Sequence, residues 1–76
     1  IYAIIYGYLE IVKYILENYD FDILTYNDLL ITASENGRLD IVKYLVEHGA
    51  DVSAQNNLSL ISAIRNGYLE VVKYLL

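Results

Sequence analysis

A ten-residue segment occurs three times at a fixed interval in this chain. GYLEIVKYIL begins at Gly7, GRLDIVKYLV at Gly37 and GYLEVVKYLL at Gly67, thirty residues apart each time. The first and third copies agree at eight of ten positions, and the other two exchange Ile for Val or Leu. A chain with such a period builds one local unit repeatedly, which restricts it to stacked-repeat architectures. Within each copy the apolar residues follow a helical period. Leu9, Val12, Ile15 and Leu16 fall at i, i+3, i+6 and i+7, and Leu39, Val42, Leu45 and Val46 repeat the stripe, as do Leu69, Val72, Leu75 and Leu76. Glu10 with Lys13, Asp40 with Lys43 and Glu70 with Lys73 take the opposite face as i,i+3 pairs. Such a pair contributes about 0.2–0.5 kcal/mol. A fully buried Leu or Val contributes roughly 1.5–3 kcal/mol. Packing therefore dominates, and the charges keep an outer face wet.

A shorter helix is expected ahead of each glycine, over 28–35 and 58–65, with residues 1–5 as the tail of a third. Ala3, Ala33 and Ala63 share one register position, where a small residue lets adjacent helices approach closely. Asn27 or Asp28 is the expected N-cap, its side-chain oxygen accepting a free backbone N–H. Asn36-Gly37 and Asn66-Gly67 supply the positive φ that reverses the chain between helices. Asn-Gly is also a hairpin signal, but the flanks are helical rather than alternating over ten residues, so helix–turn–helix is the reading that fits. The predicted fold class is all-α, a solenoid of stacked helix pairs. Residues 1–27 and 58–76 read as partial repeats around a central one at 28–57. Because one such unit cannot bury both its apolar faces alone, the chain reads as an excerpt of a longer array that starts and stops inside an element at Ile1 and Leu76.

Composition narrows the function. Apolar residues make up 57% of the chain, above the roughly 45–50% usual for globular domains, which points to end faces that meet further repeats or a partner. There is no Cys and a single His, His48, so neither disulfides nor a structural metal can staple the fold. Zero Cys fits a reducing, intracellular compartment. Lys and Glu interrupt every apolar run before it could span a membrane, and residues 1–5 lack the basic leader of a signal peptide. Ten acidic against five basic residues give a formal charge of −5, which repels phosphate backbones and disfavours nucleic acid.

The motif at 37–52, GRLDIVKYLVEHGADV, is similar to the second-helix signature of the ankyrin repeat family, and 7–17 and 67–76 match it as well. The resemblance implies stacked helix pairs with loops projecting to one side, used for protein–protein recognition, with no catalytic residue and no cofactor. The compact 30-residue unit, with Ala33-Ser34-Glu35-Asn36 ahead of Gly37, resembles the ankyrin repeats of large DNA viruses. There are departures. The T-P-L-H that opens the family's first helix is replaced by Asp28-Leu29-Leu30-Ile31 and Leu58-Ser59-Leu60-Ile61, and the chain has no Pro. Tyr19 stands where the next copy has Gly49, and the following residues slip by one. A non-glycine residue in a left-handed cap costs about 1–2 kcal/mol, so this helix is expected to end without one.

Side chains that could carry chemistry give structural readings. The Tyr14, Tyr44 and Tyr74 ladder reads as repeat packing, each ring covering the neighbouring helix with its hydroxyl at the surface. The lysine and acid ladders read as solvated faces. His48 follows the second helix, where a cation is favoured, and no second His or Cys completes a metal site. Asp20 and Asp22 lack the glycine and terminal glutamate of a calcium loop. No serine has a base at a suggestive spacing, and the Asn57-Leu58-Ser59 sequon falls at the start of a packed helix.

The positions that vary between repeats are free to specify a partner. Thr25, Tyr26 and Asn27, with Gln55, Asn56 and Asn57, are expected at projecting tips, Tyr26 as the best single anchor. Glu35 and Arg65 are candidates on the open face of the first helices. The expected function is a non-catalytic scaffold gripping another protein through loop tips and a concave face, with self-association through exposed array ends as a further expectation. Alternatives are a structural component of a larger assembly, such as a virion or filament, or the recruiting part of an adaptor whose other domain lies elsewhere.

Overall fold

The computed structural model describes residues 2–76; the expectation that the chain opens inside an element at Ile1 lies outside them. Among the described residues six helices follow in order: α1 Tyr2–Ile5, α2 Leu9–Asn18, α3 Ile23–Glu35, α4 Leu39–Glu47, α5 Ala54–Arg65 and α6 Leu69–Leu75. No strand occurs among the described residues. The helices pair as α1/α2, α3/α4 and α5/α6, first helices packing on first helices and second on second. The all-α stack of helix–turn–helix units agrees with the sequence reading.

The three turns are built alike. Gly7, Gly37 and Gly67 have φ of +77°, +69° and +77°. In each, the N–H after the glycine reaches back five residues, from Tyr8, Arg38 and Tyr68 to the carbonyls of Ala3, Ala33 and Ala63. This is the closing bond of a helix that ends through a left-handed glycine. The alanine ladder thus carries two duties. Its carbonyl accepts the closing bond, and its small side chain, fully buried in Ala33 and Ala63, lets the first helices touch.

The core runs through all three pairs and is densest in the middle one. Leu30, Ala33, Ile41, Val42 and Leu45 are completely buried, continuous with Ile4, Val12 and Leu16 before them and Ala63 and Val71 after. Ile41 and Tyr44 lie outside the predicted stripe yet are buried. The middle second helix has a neighbour on both sides, so a single stripe cannot describe its contacts.

The connections between pairs differ from one another. Helix α4 ends on Gly49 at φ +103°, with Ala50 N–H bonded to the Leu45 carbonyl at 3.0 Å. Helix α2 ends instead in extended chain, Tyr19 having φ −132° and ψ 143°, as the cost of a left-handed tyrosine led us to expect. The predicted N-cap of α3 is corrected. The helix starts at Ile23, five residues before the expected 28, because Asp22 caps it, accepting from Thr25 N–H and from the Thr25 hydroxyl, each at 2.9 Å. Helix α5 likewise starts before 58, but Gln55, Asn56 and Asn57 sit in left-handed conformation, with φ 54°, 59° and 63°. Leu60 follows Asp51 by nine positions, whereas Leu30 follows Asp22 by eight. The left-handed turn accommodates the additional residue before the right-handed helix resumes.

Candidate protein-recognition surface

The two connections lie side by side at the N-terminal ends of α3 and α5, and a buried asparagine joins them. Asn27 accepts the Asp51 N–H through Oδ1 at 2.7 Å. Asp51 in turn accepts from the Ser53 hydroxyl at 2.7 Å and the Ser53 N–H at 2.9 Å. Gln55 Nε2 donates to Asp28 Oδ1 at 3.2 Å, which ties the left-handed turn to α3. The result is a ledge whose backbone is fixed by side chains on both sides.

These bonds perturb the acids that make them. Thr25, through its N–H first and then its hydroxyl, holds the Asp22 carboxyl below the ordinary 3.8. The Ser53 hydroxyl, then its N–H, does the same at Asp51. Asp22 is the charge-assisted cap of α3, and Asp51 closes a local turn onto Ser53. Among the described residues no group of three or more His, Asp or Glu is placed to hold a metal.

The predicted site residues are distributed unevenly over this ledge. Gln55, Asn56 and Asn57 are exposed at its edge. Thr25 and Tyr26 are half-buried in the first turn of α3 rather than in a loop, Thr25 engaged with Asp22 and Tyr26 packed on the core. Asn27 is buried, and its side-chain oxygen is occupied by Asp51, so it positions the ledge instead of projecting from it. Glu35 and Arg65 are exposed but stand at the far ends of α3 and α5. Ten residues at about 1.5 Å each put Glu35 roughly 15 Å from Thr25. The arrangement therefore ties Gln55 to Asp28 and leaves Glu35 and Arg65 as a separate group.

Sequence reasoning missed the apolar part of the ledge. Phe21, Ile23 and Leu24 are all exposed, Leu24 at 68%, beside the Asp22 cap. Their signal was the slip after Tyr19, which places two aromatics and two aliphatics where the next connection has Gly, Ala and Val. Large apolar side chains on a fixed turn are what a binding surface presents.

The opposite, second-helix side carries the ladders. Tyr44 is buried, and its hydroxyl donates to Glu17 Oε2 at 3.3 Å. Burial first, and Glu17 second, raise the Tyr44 phenol above 10.0. Its ring stacks on His48 at 4.0 Å, and His48 Nδ1 lies 2.8 Å from the Tyr44 carbonyl. The lysines are not purely solvated: Lys13 Nζ stands 5.8 Å from the Tyr44 ring centre and Lys43 Nζ 5.8 Å from that of Tyr74. Lys13 and Lys73 also pair with Glu10 and Glu70 at 3.6 and 3.5 Å. Asp40, one methylene shorter, caps the Ile41 N–H instead.

Stacked helix pairs closed by left-handed glycines define a helical repeat protein. The family described as ankyrin repeats (3 copies) matches residues 1–76, and the chain belongs to it. Ankyrin repeats are generally protein–protein interaction modules and are typically non-catalytic. No match was found among curated proteins or among solved structures. No helix among the described residues is long and apolar enough to cross a membrane.

Proposed function

We propose that this chain is a non-catalytic recognition module that binds another protein through the ledge formed by Phe21, Leu24 and Tyr26 at the start of α3 and by 55–57 at the start of α5. The observation that supports this reading is the left-handed run Gln55-Asn56-Asn57, three exposed residues held in a conformation disfavoured for non-glycine side chains. Strained backbone persists only where its surroundings over-determine it, and it clusters at functional sites. Here the bracing comes from Asp28, Asn27 and Ser53. Apolar anchors beside donors and acceptors of fixed direction suit a partner surface with a small hydrophobic protrusion and exposed backbone groups. Glu35 and Arg65 extend the contact along the first helices toward a concave side.

The test is a comparison of captured proteins. A partner retained by the wild-type chain and by Lys43→Gln, on the opposite side, is expected to be lost by the combined variant Leu24→Asp, Gln55→Ala, Asn56→Ala. Equal retention by that variant would rule out the ledge.

A further inference from the structure

Charge is divided unevenly between the two ends of the helix pairs. The stretches 14–37 and 44–64 contain no Lys or Arg. Within them, Glu17, Asp20, Asp22, Asp28, Glu47 and Asp51 fall in the last turn of a second helix, in a connection, or in the first two turns of α3. The other four acids, Glu10, Glu35, Asp40 and Glu70, share the rest of the chain with all five bases, so that part is close to neutral. The formal charge of −5 thus resides at the connection end. In these stretches only His48 could carry a positive charge, and its Nδ1 is engaged with the Tyr44 carbonyl at 2.8 Å.

A surface that serves only solubility mixes its signs, as the second helices do with Lys13 on Glu10 at 3.6 Å and Lys73 on Glu70 at 3.5 Å. At the connection end the acids border apolar side chains instead. Asp20 and Asp22 flank Phe21, Ile23 and Leu24 follow, and all three apolar residues are exposed. Ile23 also reaches the second connection, its Cδ1 lying 3.5 Å from where a Cβ on Gly49 would stand, and Gln55 joins Asp28 between the same two segments. The apolar patch is therefore continuous with the braced turn. Its acids are spread out: among the described residues no group of three or more acids or His is placed to hold a metal. Such an arrangement suits several cations carried along a chain better than one ion.

We propose that the ledge takes a cationic protein segment, one whose Lys or Arg side chains are spaced around a bulky apolar residue. This rests on the reading of the ledge as the recognition surface and adds the chemistry of what is recognised. The apolar residue lies on Phe21 and Leu24, and the cations face Asp20, Asp22 and Asp28, with Glu47 adding to the field. Asp22 and Asp28 are about 9 Å apart along the α3 axis. An extended segment covers that span in about three residues, so cations at every third position reach both. A field of one sign steers such a segment in before contact and weakens with salt. Phosphate backbones and anionic membrane surfaces are repelled from the same end.

Fluorescence anisotropy with a labelled synthetic peptide, Lys-Leu-Ser-Lys-Leu-Ser-Lys, tests it against the same peptide with Glu in place of every Lys. The lysine peptide is expected to bind, to lose affinity as salt is raised, and to shift the amide resonances of 20–28 and 51–57. The glutamate peptide is expected not to bind. Asp20→Asn, Asp28→Asn and Glu47→Gln combined should weaken binding about tenfold, the order expected for three exposed ion pairs; asparagine at 28 still offers Gln55 an acceptor. Glu10→Gln, Glu35→Gln and Glu70→Gln combined remove the same charge elsewhere and should leave the affinity nearly unchanged. Equal losses in the two combined variants would reveal attraction to net charge alone and overturn the proposal, as would binding of the glutamate peptide or no binding of the lysine peptide. Leu24→Ser separates this outcome from the fate of the ledge. If Leu24→Ser releases the peptide and neutralising 20, 28 and 47 does not, the ledge stands and the cationic partner falls. If neutralisation weakens binding and Leu24→Ser has no effect, the ledge falls and takes the proposal with it.

Discussion

Tyr68 lies against Gly37 so closely that a Cβ built on the glycine would fall 2.7 Å from the ring. Gly37 therefore meets two demands at once, a left-handed turn within its own repeat and a flat seat for the next. Gly67, at nearly the same φ, meets only the first, because nothing stands within 4 Å of its Cβ position. Gly7 is intermediate. Arg38 crosses it at 3.3 Å on the way to donating from Nε and Nη2 to the Ile5 carbonyl.

The three glycines consequently predict a graded series. Gly67→Ala should cost only the left-handed penalty, about 1–2 kcal/mol. Gly37→Ala should add overpacking against a ring that belongs to another repeat, about 1–3 kcal/mol more. Gly7→Ala should fall between, since a flexible guanidinium can move aside more readily than a ring. Urea denaturation of the three variants measures the order. Equal losses at Gly37 and Gly67 would mean that the Tyr68 contact contributes nothing.

Asn27 predicts a different kind of loss. Asn27→Ala leaves the Asp51 N–H without its acceptor, at a cost of about 1–3 kcal/mol. The effect should be localised, with amide exchange at Asp51 accelerating more than at Leu45 in the neighbouring helix. Asn27→Asp keeps an acceptor at the same place and should recover part of the protection. Unchanged exchange at Asp51 in the alanine variant would remove Asn27 from its bracing role.

Stability should fall at both ends of the pH range, for opposite reasons. The folded values of Asp22 and Asp51 are lowered from 3.8, so each carboxylate adds stability above that pH, lost as the pH drops through the depressed folded value. The folded value of Tyr44 is raised from 10.0, so its contribution is complete below pH 10 and is lost as the pH rises through the elevated value. Denaturant midpoints measured across pH should show both limbs. Asp22→Ala should flatten the acid limb, and Tyr44→Phe the alkaline one. An acid limb equally steep in Asp22→Ala would place the acid sensitivity elsewhere.

The parts of the fold legible from the sequence are those that repeat. Gly7, Gly37 and Gly67 recur with Ala3, Ala33 and Ala63 at a fixed distance, so turn, closing carbonyl and helix contact were written three times over. The starts of the first helices were not legible, because Asp22 caps α3 through Thr25 whereas α5 begins without a side-chain cap, behind the Asp51–Ser53 turn. Asn27 looked like a free cap because its true partner lies 24 residues away. The exposure of Phe21 and Leu24 was not legible, since it appears only when the slip after Tyr19 is placed in space.

The left-handed run was also invisible, because neither Gln nor Asn demands a positive φ, and its presence yields a prediction of definite sign. In a right-handed helix, Asn→Gly costs backbone entropy and should destabilise by a few tenths of a kcal/mol, up to about 1. At a left-handed position glycine removes the Cβ conflict, about 1–2 kcal/mol, which exceeds that entropy term. Asn56→Gly should therefore raise the denaturation midpoint, whereas Leu60→Gly, three residues beyond the run, should lower it. Gln55→Gly is expected to gain less than Asn56→Gly, because it also deletes the bond to Asp28. If the ledge binds a partner through this fixed shape, affinity should fall in Asn56→Gly even as stability rises, since glycine widens the set of conformations the free chain visits. A lowered midpoint in Asn56→Gly would show that residues 55–57 continue the helix in its ordinary hand, and the case for a braced, strained recognition turn would go with it.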